Sequence, residues 1–299
     1  MVFQSLADAR DYVLSNDEDY FITDEIIRGV SFKVFKNGPK LIPDILNLCL
    51  NHKEKDFLVF DKERYSFGEF HQLTCQIAHL LMDEYSIRPG DRVAILMKNS
   101  PEFPLIFMAL SSIGAVAVCL NSWWTSDELK YGFMDSKVKL VFTDEQRLAK
   151  IKGFVSEMGV QTVLCRHQNS DKSDEFWNSL LTSKNNELPR TTIDQDSDFA
   201  VMYTSGSTGH PKGVVMTHRG AISTLMSWHF GLRVLDVMGL GPVPYVDKNN
   251  QPYQPCQLVS VPFFHVSGTH GGLLLALWSG TKLVIMKKWD PPEAVRLIE

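Results

Sequence analysis

Cysteine is scarce in this sequence, and its placement excludes a disulfide framework. The five cysteines lie far apart and form no C-x-x-C pair; they are Cys49, Cys75, Cys119, Cys165 and Cys256. An odd, scattered set of this kind is typical of reduced and mostly buried thiols. We therefore expect a cytoplasmic protein, with organellar targeting left open and a nucleophilic or metal-binding cysteine as the alternative.

Concentrated charge is missing too. The 30 basic residues are spread along a chain of net charge −5, and no basic block indicates a nucleic-acid partner. Asp8 and Arg10 stand where a secretory signal would need its apolar core, so the first residues do not form such a signal. The composition favours a globular enzyme, with 44% hydrophobic residues available for a core.

The longest stretch without charge runs from Phe103 to Ser126 and is long enough to span a bilayer. Proline, serine, glycine and asparagine interrupt it, however, and its pattern changes midway. Residues 103–113 have helical apolar spacing, and residues 115–120 form a short β-favouring run. We expect a buried helix that stops at Gly114 and then a buried strand. A membrane span is the alternative, and peripheral membrane contact stays open.

Apolar runs alternate with helical patterns along the rest of the chain. The predicted strands are Phe57–Asp61, Arg92–Met97, Ala115–Leu120, Val138–Asp144, Val160–Cys165 and Phe199–Tyr203. They are apolar throughout instead of alternating, which is typical of a parallel sheet that helices cover on both faces. The predicted fold class is therefore α/β, with largely parallel sheets flanked by helices.

Capping residues mark the expected helix starts. Ser66-Phe-Gly-Glu69 and Thr125-Ser-Asp-Glu128 each have the pattern of a capping box. Ser100 is predicted to cap a helix with proline in its first turn, and Asp290 is predicted to cap the last helix.

The chain should form two lobes, since about 150 residues make a typical domain. Residues 166–198 are the most polar stretch, so we expect residues 1–190 to form a first lobe with an N-terminal extension and residues 191–299 to begin a second. Gly241–Pro255 is rich in proline, asparagine and glutamine and should be a surface loop. The last helix has barely two turns before Glu299, so the second lobe is expected to be incomplete.

The segment AVMYTSGSTGHPKGV (200–214) concentrates hydroxyls, glycines and one lysine after a buried strand. Open α/β sheets bind ligands at the carboxyl ends of their strands, and glycine lets backbone N–H groups face an anion. The predicted nucleotide-binding residues are Thr204, Ser205, Gly206, Ser207, Thr208, Gly209 and Lys212. One lysine cannot neutralise a polyphosphate, so Mg²⁺ is implied, held mainly by the phosphates and with no metal ligand predicted in the chain.

Other motifs do not fit this segment. A Walker A loop needs glycine before its lysine and serine or threonine after it, whereas Pro211 precedes Lys212 and Gly213 follows it. Neither G-x-G-x-x-G nor G-x-S-x-G fits at these positions. A flexible linker is the alternative, although the apolar strands on both sides disfavour it.

The segment YTSGSTGHPKGV (203–214), followed by THRG, resembles the phosphate-loop motif of adenylate-forming enzymes, which include acyl- and aryl-CoA synthetases. VPFFHVSG (261–268) is similar to the family motif that places an aromatic residue or histidine beside the reacting carboxylate. Residues 88–144 resemble the fatty-acid and acyl-CoA ligase branch, so the resemblance covers roughly residues 50–299.

The resemblance implies a reaction and its residues. A carboxylic acid attacks ATP to form an acyl-adenylate, and coenzyme A then takes the acyl group as a thioester, with Mg²⁺ as cofactor. His265 carries over as the catalytic residue beside the carboxylate, and Val266 and Gly268 as contacts of the substrate pocket. Trp228 and the apolar helix Gly271–Trp278 are candidates for lining an acyl tunnel, with ordinary core packing as the alternative.

Two further features bear on the substrate and on the remaining polar residues. No acidic residue follows the second motif, which favours a simple carboxylic acid, fatty or related, over an amino acid. The other histidines considered show no metal-ligand spacing, and Ser267 has no predicted base. A structural role is expected for His210, His218, His229, His270 and Ser267.

Family motifs that contact adenine, bind magnesium through a glutamate and supply a catalytic lysine do not occur in these 299 residues. We therefore expect an N-terminal portion without the C-terminal lid domain, which alone turns over poorly or not at all, whereas the complete product is the ligase. A non-catalytic nucleotide- or acyl-binding paralogue is the alternative. A kinase or NTPase is disfavoured by the proline and glycine around Lys212, and the oligomeric state stays open.

Overall fold

The computed structural model describes residue 3 and residues 5–167, 171–182, 185–204, 209–246 and 248–298. Among the described residues, the helices are α1 (Leu6–Asn16), α2 (Ile42–Leu48), α3 (Phe67–Asp83), α4 (Glu102–Ser112), α5 (Ser126–Ser136), α6 (Glu145–Ile151), α7 (Asp174–Thr182), α8 (His218–Val237), α9 (Val266–Gly268), α10 (Leu275–Ser279) and α11 (Pro291–Ile298). The strands are β1 (Ile22–Ile27), β2 (Val30–Phe35), β3 (Asp56–Phe60), β4 (Glu63–Ser66), β5 (Arg92–Leu96), β6 (Val116–Cys119), β7 (Leu140–Asp144), β8 (Gln161–Arg166), β9 (Asp198–Thr204), β10 (Lys212–Thr217), β11 (Cys256–Val259) and β12 (Lys282–Ile285).

Within these residues two larger sheets carry the fold, and the predicted α/β class is confirmed. The six-stranded sheet has the order β10-β9-β6-β5-β7-β8 and is parallel except for the β10–β9 pair. The four-stranded sheet has the order β11-β12-β3-β4 and is parallel except for the β3–β4 pair. Strands from both sides of residue 190 share each sheet, so the predicted lobe boundary is not a boundary between sheets and stays a prediction.

Both predicted capping boxes are present. The Ser66 hydroxyl accepts from the Glu69 N–H at 3.1 Å, and the Glu69 carboxylate accepts from the Ser66 N–H at 2.7 Å. The corresponding distances between Thr125 and Glu128 are 3.4 and 2.8 Å. These reciprocal bonds satisfy backbone donors that a helix start otherwise leaves unpaired.

The two other predicted caps have opposite outcomes. Asp290 accepts from the Glu293 N–H at 3.1 Å, as predicted. The Ser100 prediction is wrong: Pro101 is the N-cap of α4, and the buried Ser100 hydroxyl faces the Met97 sulfur at 3.7 Å. The helix starts one residue later than predicted, so the Ser100 side chain is not placed to accept from the second or third helical N–H.

The uncharged stretch forms the buried helix and strand that its pattern predicts. Every residue of α4 is buried, Gly114 follows it with a φ of +73°, and β6 is buried throughout. A positive φ favours glycine, which explains why the helix stops there. Over the described part of the chain, no helix is both long and apolar enough to cross a membrane.

The cysteines and the polar loop also match their predictions. Four of the five thiols are buried and Cys256 is exposed. Burial raises the pKa of Cys49 and of Cys75 to about 12, so neither is a reactive thiolate at neutral pH. The described residues of Gly241–Pro255 are mostly exposed, as expected of a surface loop.

A buried ion cluster joins β4, α4 and β8. Glu102 is fully buried, and the Arg166 guanidinium donates to it at 2.6 Å and to Glu63 at 2.7 Å. The Trp177 indole N–H donates to Glu102 at 3.1 Å. Burial alone would raise the pKa of Glu63, but the hydrogen bonds and charge of Arg166 outweigh it and lower that pKa.

Arg166→Met should destabilise the fold by about 3–5 kcal/mol, because the fully buried Glu102 would lose its cation and Glu63 would keep only Lys172, at 3.5 Å. Urea unfolding followed by circular dichroism measures the loss at pH 7. Arg296→Met is the control. The ion pair between Arg296 and Glu293 is exposed, so its loss should leave the urea midpoint unchanged.

The same cluster predicts a pH dependence. Because the folded protein lowers the pKa of Glu63, its contribution to stability is complete above the ordinary value of 4.5 and is lost as the pH falls through the lowered pKa. The difference in the free energy of unfolding between wild type and Arg166→Met should therefore shrink below pH 4.5. A difference that stays constant with pH would contradict the stabilising role of the Glu63 carboxylate.

Candidate functional site

The described ends of the glycine-rich loop lie at one edge of the six-stranded sheet. Lys212, the first residue of β10, pairs in register with Thr204, the last residue of β9. The Thr204 hydroxyl donates to the Lys212 carbonyl oxygen at 3.5 Å, and both residues are exposed. Directly opposed residues of an antiparallel pair present their side chains on the same face, so the Thr204 and Lys212 side chains leave the sheet on one side.

Glycines flank the described end of this loop for structural reasons. Gly209 has a φ of +116°, a conformation that favours glycine. A Cβ on Gly213 would lie 3.1 Å from the Val201 side chain and 3.3 Å from the Tyr203 ring. The other predicted nucleotide-binding residues, Ser205, Gly206, Ser207 and Thr208, lie outside the described residues.

The second motif presents an exposed histidine at the start of α9. The His265 Nδ1 accepts from the Ser267 N–H at 3.4 Å and lies 3.1 Å from the Ser267 hydroxyl. A backbone N–H can only donate, so this geometry favours the neutral tautomer with its proton on Nε2. The outward Nε2–H can then donate to a carboxylate oxygen.

The same contact corrects the expectation that Ser267 has no base beside it. As the N-cap of α9, His265 accepts from the backbone N–H two residues ahead, which brings it to Ser267. The hydroxyl and the backbone of Ser267 both hold Nδ1, so Ser267 orients His265 in this arrangement.

The second motif and the residue that follows it are attached to β9 and to the segment after β5. The Thr269 hydroxyl contacts the Met202 sulfur of β9 at 3.9 Å. The Asn99 amide donates to the Val261 carbonyl at 2.8 Å and accepts from the Phe263 N–H at 2.9 Å. Sequence analysis did not single out Asn99; its place just after β5, at the carboxyl end of a parallel strand, is the signal that marks it.

Val266 and Gly268, the two predicted pocket residues of the second motif, differ in solvent exposure. Val266 is 44% exposed beside His265, whereas Gly268 is buried. A Cβ on Gly268 would lie 2.2 Å from the Pro262 carbonyl oxygen, so packing requires glycine there. Contact of either residue with a substrate stays a prediction.

The apolar helix after the second motif departs from its prediction. Thr269–Leu274 forms a π-helical turn, so the predicted helix Gly271–Trp278 is α-helical only in its second half. Adjacent glycines lower the α-helical propensity at this point. Trp228 is 41% exposed, and it is His229 that stacks on Trp278, with ring centroids 3.9 Å apart. An acyl tunnel along Trp228 therefore stays a prediction.

Two buried histidines have the structural roles expected of them. Burial lowers the pKa of His218 and of His270 to about 4, so both are neutral at pH 7. The His218 Nδ1 accepts from the Ile42 N–H at 3.2 Å, and the His270 Nδ1 lies 3.1 Å from the Thr269 hydroxyl. No group of three His, Cys, Asp or Glu side chains that could hold a metal occurs among the described residues, and Mg²⁺ bound through the nucleotide stays a prediction.

A basic and aromatic cleft beside the second motif was missed by the sequence analysis. It encloses about 210 Å³ and is open to solvent. Its lining includes Lys98, Lys287, Lys288, Trp123 and Trp289. The Trp123 ring meets the Phe264 ring edge-on at 5.3 Å, and Lys287 pairs with Asp61 at 2.7 Å. Positions so far apart in the chain form no local pattern, which is why only the folded structure shows the cleft.

A hydroxyl- and glycine-rich loop at the edge of a largely parallel sheet, with a histidine motif packed on the same strand, defines the N-terminal domain of an adenylate-forming enzyme. The chain belongs to the AMP-binding enzyme family, which it matches over residues 48–299. The resemblance inferred from the two motifs is thereby confirmed.

The relatives are ligases of greater length. The 4-coumarate–CoA ligase CCL1 of Humulus lupulus is 33% identical over 220 residues, which are 73% of this chain and 38% of that protein. The 4-coumarate–CoA ligase 3 of Arabidopsis thaliana is 30% identical over 237 residues, 79% of this chain and 39% of that protein. The match thus spans about two fifths of the length of these curated relatives.

Solved structures show the same fold. The N-terminal domain of FACL13 from Mycobacterium tuberculosis has a TM-score of 0.71 and 25% identity, over 87% of this chain and 60% of that one. A fatty acyl CoA synthetase from Mycobacterium tuberculosis has a TM-score of 0.70 and 25% identity, over 87% of this chain and 47% of that one.

Gly268→Ala should destabilise the protein by at least about 2 kcal/mol, because the added methyl group would overlap the Pro262 carbonyl. Gly271→Ala is the matched control in the same helical segment, where a Cβ meets nothing within 4 Å. Urea unfolding of the two variants measures the difference. Equal stabilities would show that the backbone shifts to admit the methyl group.

Proposed function

We propose that this chain supplies the phosphate-binding and acid-binding part of an ATP-dependent acid–thiol ligase. The observation that carries the proposal is the pairing of Lys212 with Thr204 at the mouth of the glycine-rich loop, in a chain that belongs to the AMP-binding family. Relatives named as CoA ligases support it. Since those relatives are longer, we propose that the 299 residues alone turn over poorly and that the longest product of the gene is the active ligase.

The proposed chemistry begins with nucleophilic attack on ATP. A carboxylate oxygen bonds to the α-phosphorus as the bond to pyrophosphate breaks, which leaves an acyl-adenylate. Lys212 and the N–H groups of the loop stabilise the charge that develops on the leaving pyrophosphate. Mg²⁺, when bound with ATP, neutralises further phosphate charge. His265 donates through Nε2–H to the carboxylate and orients it for the attack.

We propose an apolar carboxylic acid, fatty or aromatic, as the substrate. From Val261 to Trp278 the chain has no carboxylate to bind a substrate amine, and the exposed side chain beside His265, Val266, is apolar. The relatives are named for 4-coumarate, one structural neighbour for fatty acyl groups and another for anthranilate. A panel of fatty and aromatic acids, tested in the exchange assay below, distinguishes the two substrate classes.

Exchange of labelled pyrophosphate into ATP tests the proposed function. In the longest product of the gene, exchange should require an acid, and Lys212→Ala should lower its rate about 10²- to 10³-fold, as when one preorganised donor to a developing charge is removed. Lys33→Ala, on the exposed β1–β2 hairpin, is the control and should keep the full rate. If no acid in the panel supports exchange while MgATP still binds, the protein is the non-catalytic nucleotide-binding paralogue instead.

The basic and aromatic cleft supports coenzyme A as the thiol. Its lysines and tryptophans match a ligand that carries phosphates and an adenine ring. We therefore assign this cleft to the nucleotide end of coenzyme A, with Lys98 and Lys288 facing its phosphates.

Lys288→Ala should lower the affinity for coenzyme A about threefold to fivefold, the effect of one exposed charge contact, and leave MgATP binding unchanged. Calorimetric titration with coenzyme A and with dephospho-coenzyme A measures the change. Lys152→Ala, at the exposed end of α6, is the control. Unchanged coenzyme A affinity in a Lys98→Ala/Lys288→Ala double variant would place the thiol substrate elsewhere.

A further inference from the structure

Helix α5 contacts the chain on both sides of the glycine-rich loop. Before the loop, the Tyr203 hydroxyl donates to the Asp135 carboxylate at 2.7 Å. Beyond residues 205–208, the His210 ring stacks on the Tyr131 ring, with centroids 4.5 Å apart and an interplanar angle of 16°. Tyr131 and Asp135 are four residues apart and therefore lie on the same face of α5. One helix face thus holds both flanks of the loop.

The helix that makes these contacts is itself firmly attached. Its capping box begins at Thr125, and Leu129 and Phe133 are buried in the core. The Lys150 ammonium donates to the Trp124 carbonyl at 2.7 Å, and the Ser126 hydroxyl donates to the Lys150 carbonyl at 2.7 Å. A loop anchored to such a helix is anchored to the body of the sheet.

The start of the loop is fixed by more than one contact. The Tyr203 ring meets the Trp124 ring edge-on at 5.3 Å, and its hydroxyl also lies 3.3 Å from the Gly132 carbonyl. Burial, and then the hydrogen bond to Asp135, raise the pKa of Tyr203, so the hydroxyl keeps its proton and acts as a donor.

We propose that Tyr131 and Asp135, the two loop anchors, are positioning residues that fix Tyr203 and His210, on either side of residues 205–208, for the binding of MgATP. The proposal rests on the proposed function. Flanking residues that are fixed before the ligand arrives reduce the conformational entropy lost on binding, so anchoring favours nucleotide binding without any direct contact. His210, expected to be structural, has this stacking contact as its role.

The anchors can be changed without opening the core. Tyr131 is half-buried and Asp135 is exposed, and neither belongs to a hydrophobic core cluster. Tyr131→Phe keeps the stacked ring and Tyr131→Ala removes it. Asp135→Asn keeps an acceptor for the Tyr203 hydroxyl and Asp135→Ala does not.

Amide hydrogen exchange in this chain tests the anchoring without any substrate. Peptides that cover residues 203–213 should exchange faster in Tyr131→Ala and in Asp135→Ala, and at the wild-type rate in Tyr131→Phe and Asp135→Asn. Peptides from the β1–β2 hairpin are the internal control and should not change. Wild-type exchange in both alanine variants would overturn the proposal.

Kinetics of pyrophosphate exchange in the longest product of the gene test the consequence. Tyr131→Ala should raise the KM for MgATP about threefold to tenfold, the range expected for the loss of one aromatic stack, with a smaller effect on kcat. His210→Ala should add little to Tyr131→Ala, because both remove the same contact. An unchanged KM would overturn the role in nucleotide binding.

The failure of the proposed function gives a different result. If the unchanged protein neither exchanges pyrophosphate nor binds MgATP, the proposed function and the nucleotide role of the anchors are both refuted. The hydrogen-exchange comparison would still decide whether α5 holds the loop.

Discussion

The pairing of β9 on both of its edges is the constraint on which the site depends. β9 is parallel to β6 and antiparallel to β10, and Phe199–Met202 are buried between the helices. A strand paired on both edges cannot slip by one residue without turning its buried side chains to the opposite face. Met202 contacts the helix of the second motif and Thr204 opposes Lys212, so one strand sets the placement of both motifs.

Much of the fold could be predicted because its signals are local. Capping boxes and uninterrupted apolar runs involve residues close in sequence, and they located β3, the five strands β5–β9 and the starts of α3, α5 and α11 to within a few residues. The β1–β2 hairpin was missed. Its turn residues, Arg28 and Gly29, both have positive φ, as a type I′ turn requires, but arginine is not a residue that marks such a turn. The order of the strands in each sheet could not be predicted either, since it depends on contacts between residues distant in the sequence.

The candidate site was predictable as far as its motifs extend. Lys212 and His265 could be singled out from the sequence motifs that contain them. The residues that hold these motifs in place are distant in the sequence and could not. Asn99 bonds to the second motif from more than a hundred and fifty positions away, and Asp135 bonds to a tyrosine about seventy positions on. Spacing along one segment carries no information on such partners, because they meet only once the sheet has formed.

The composition of the four-stranded sheet affects how the chain is synthesised. β3 and β4 leave the ribosome early, but β12 pairs with β3, and Leu58 faces Leu283 near the other end of the sequence. Until the later strand emerges, one edge of β3 has no partner. An unpaired apolar strand edge invites aggregation, so the nascent chain has a long period in which a chaperone is useful.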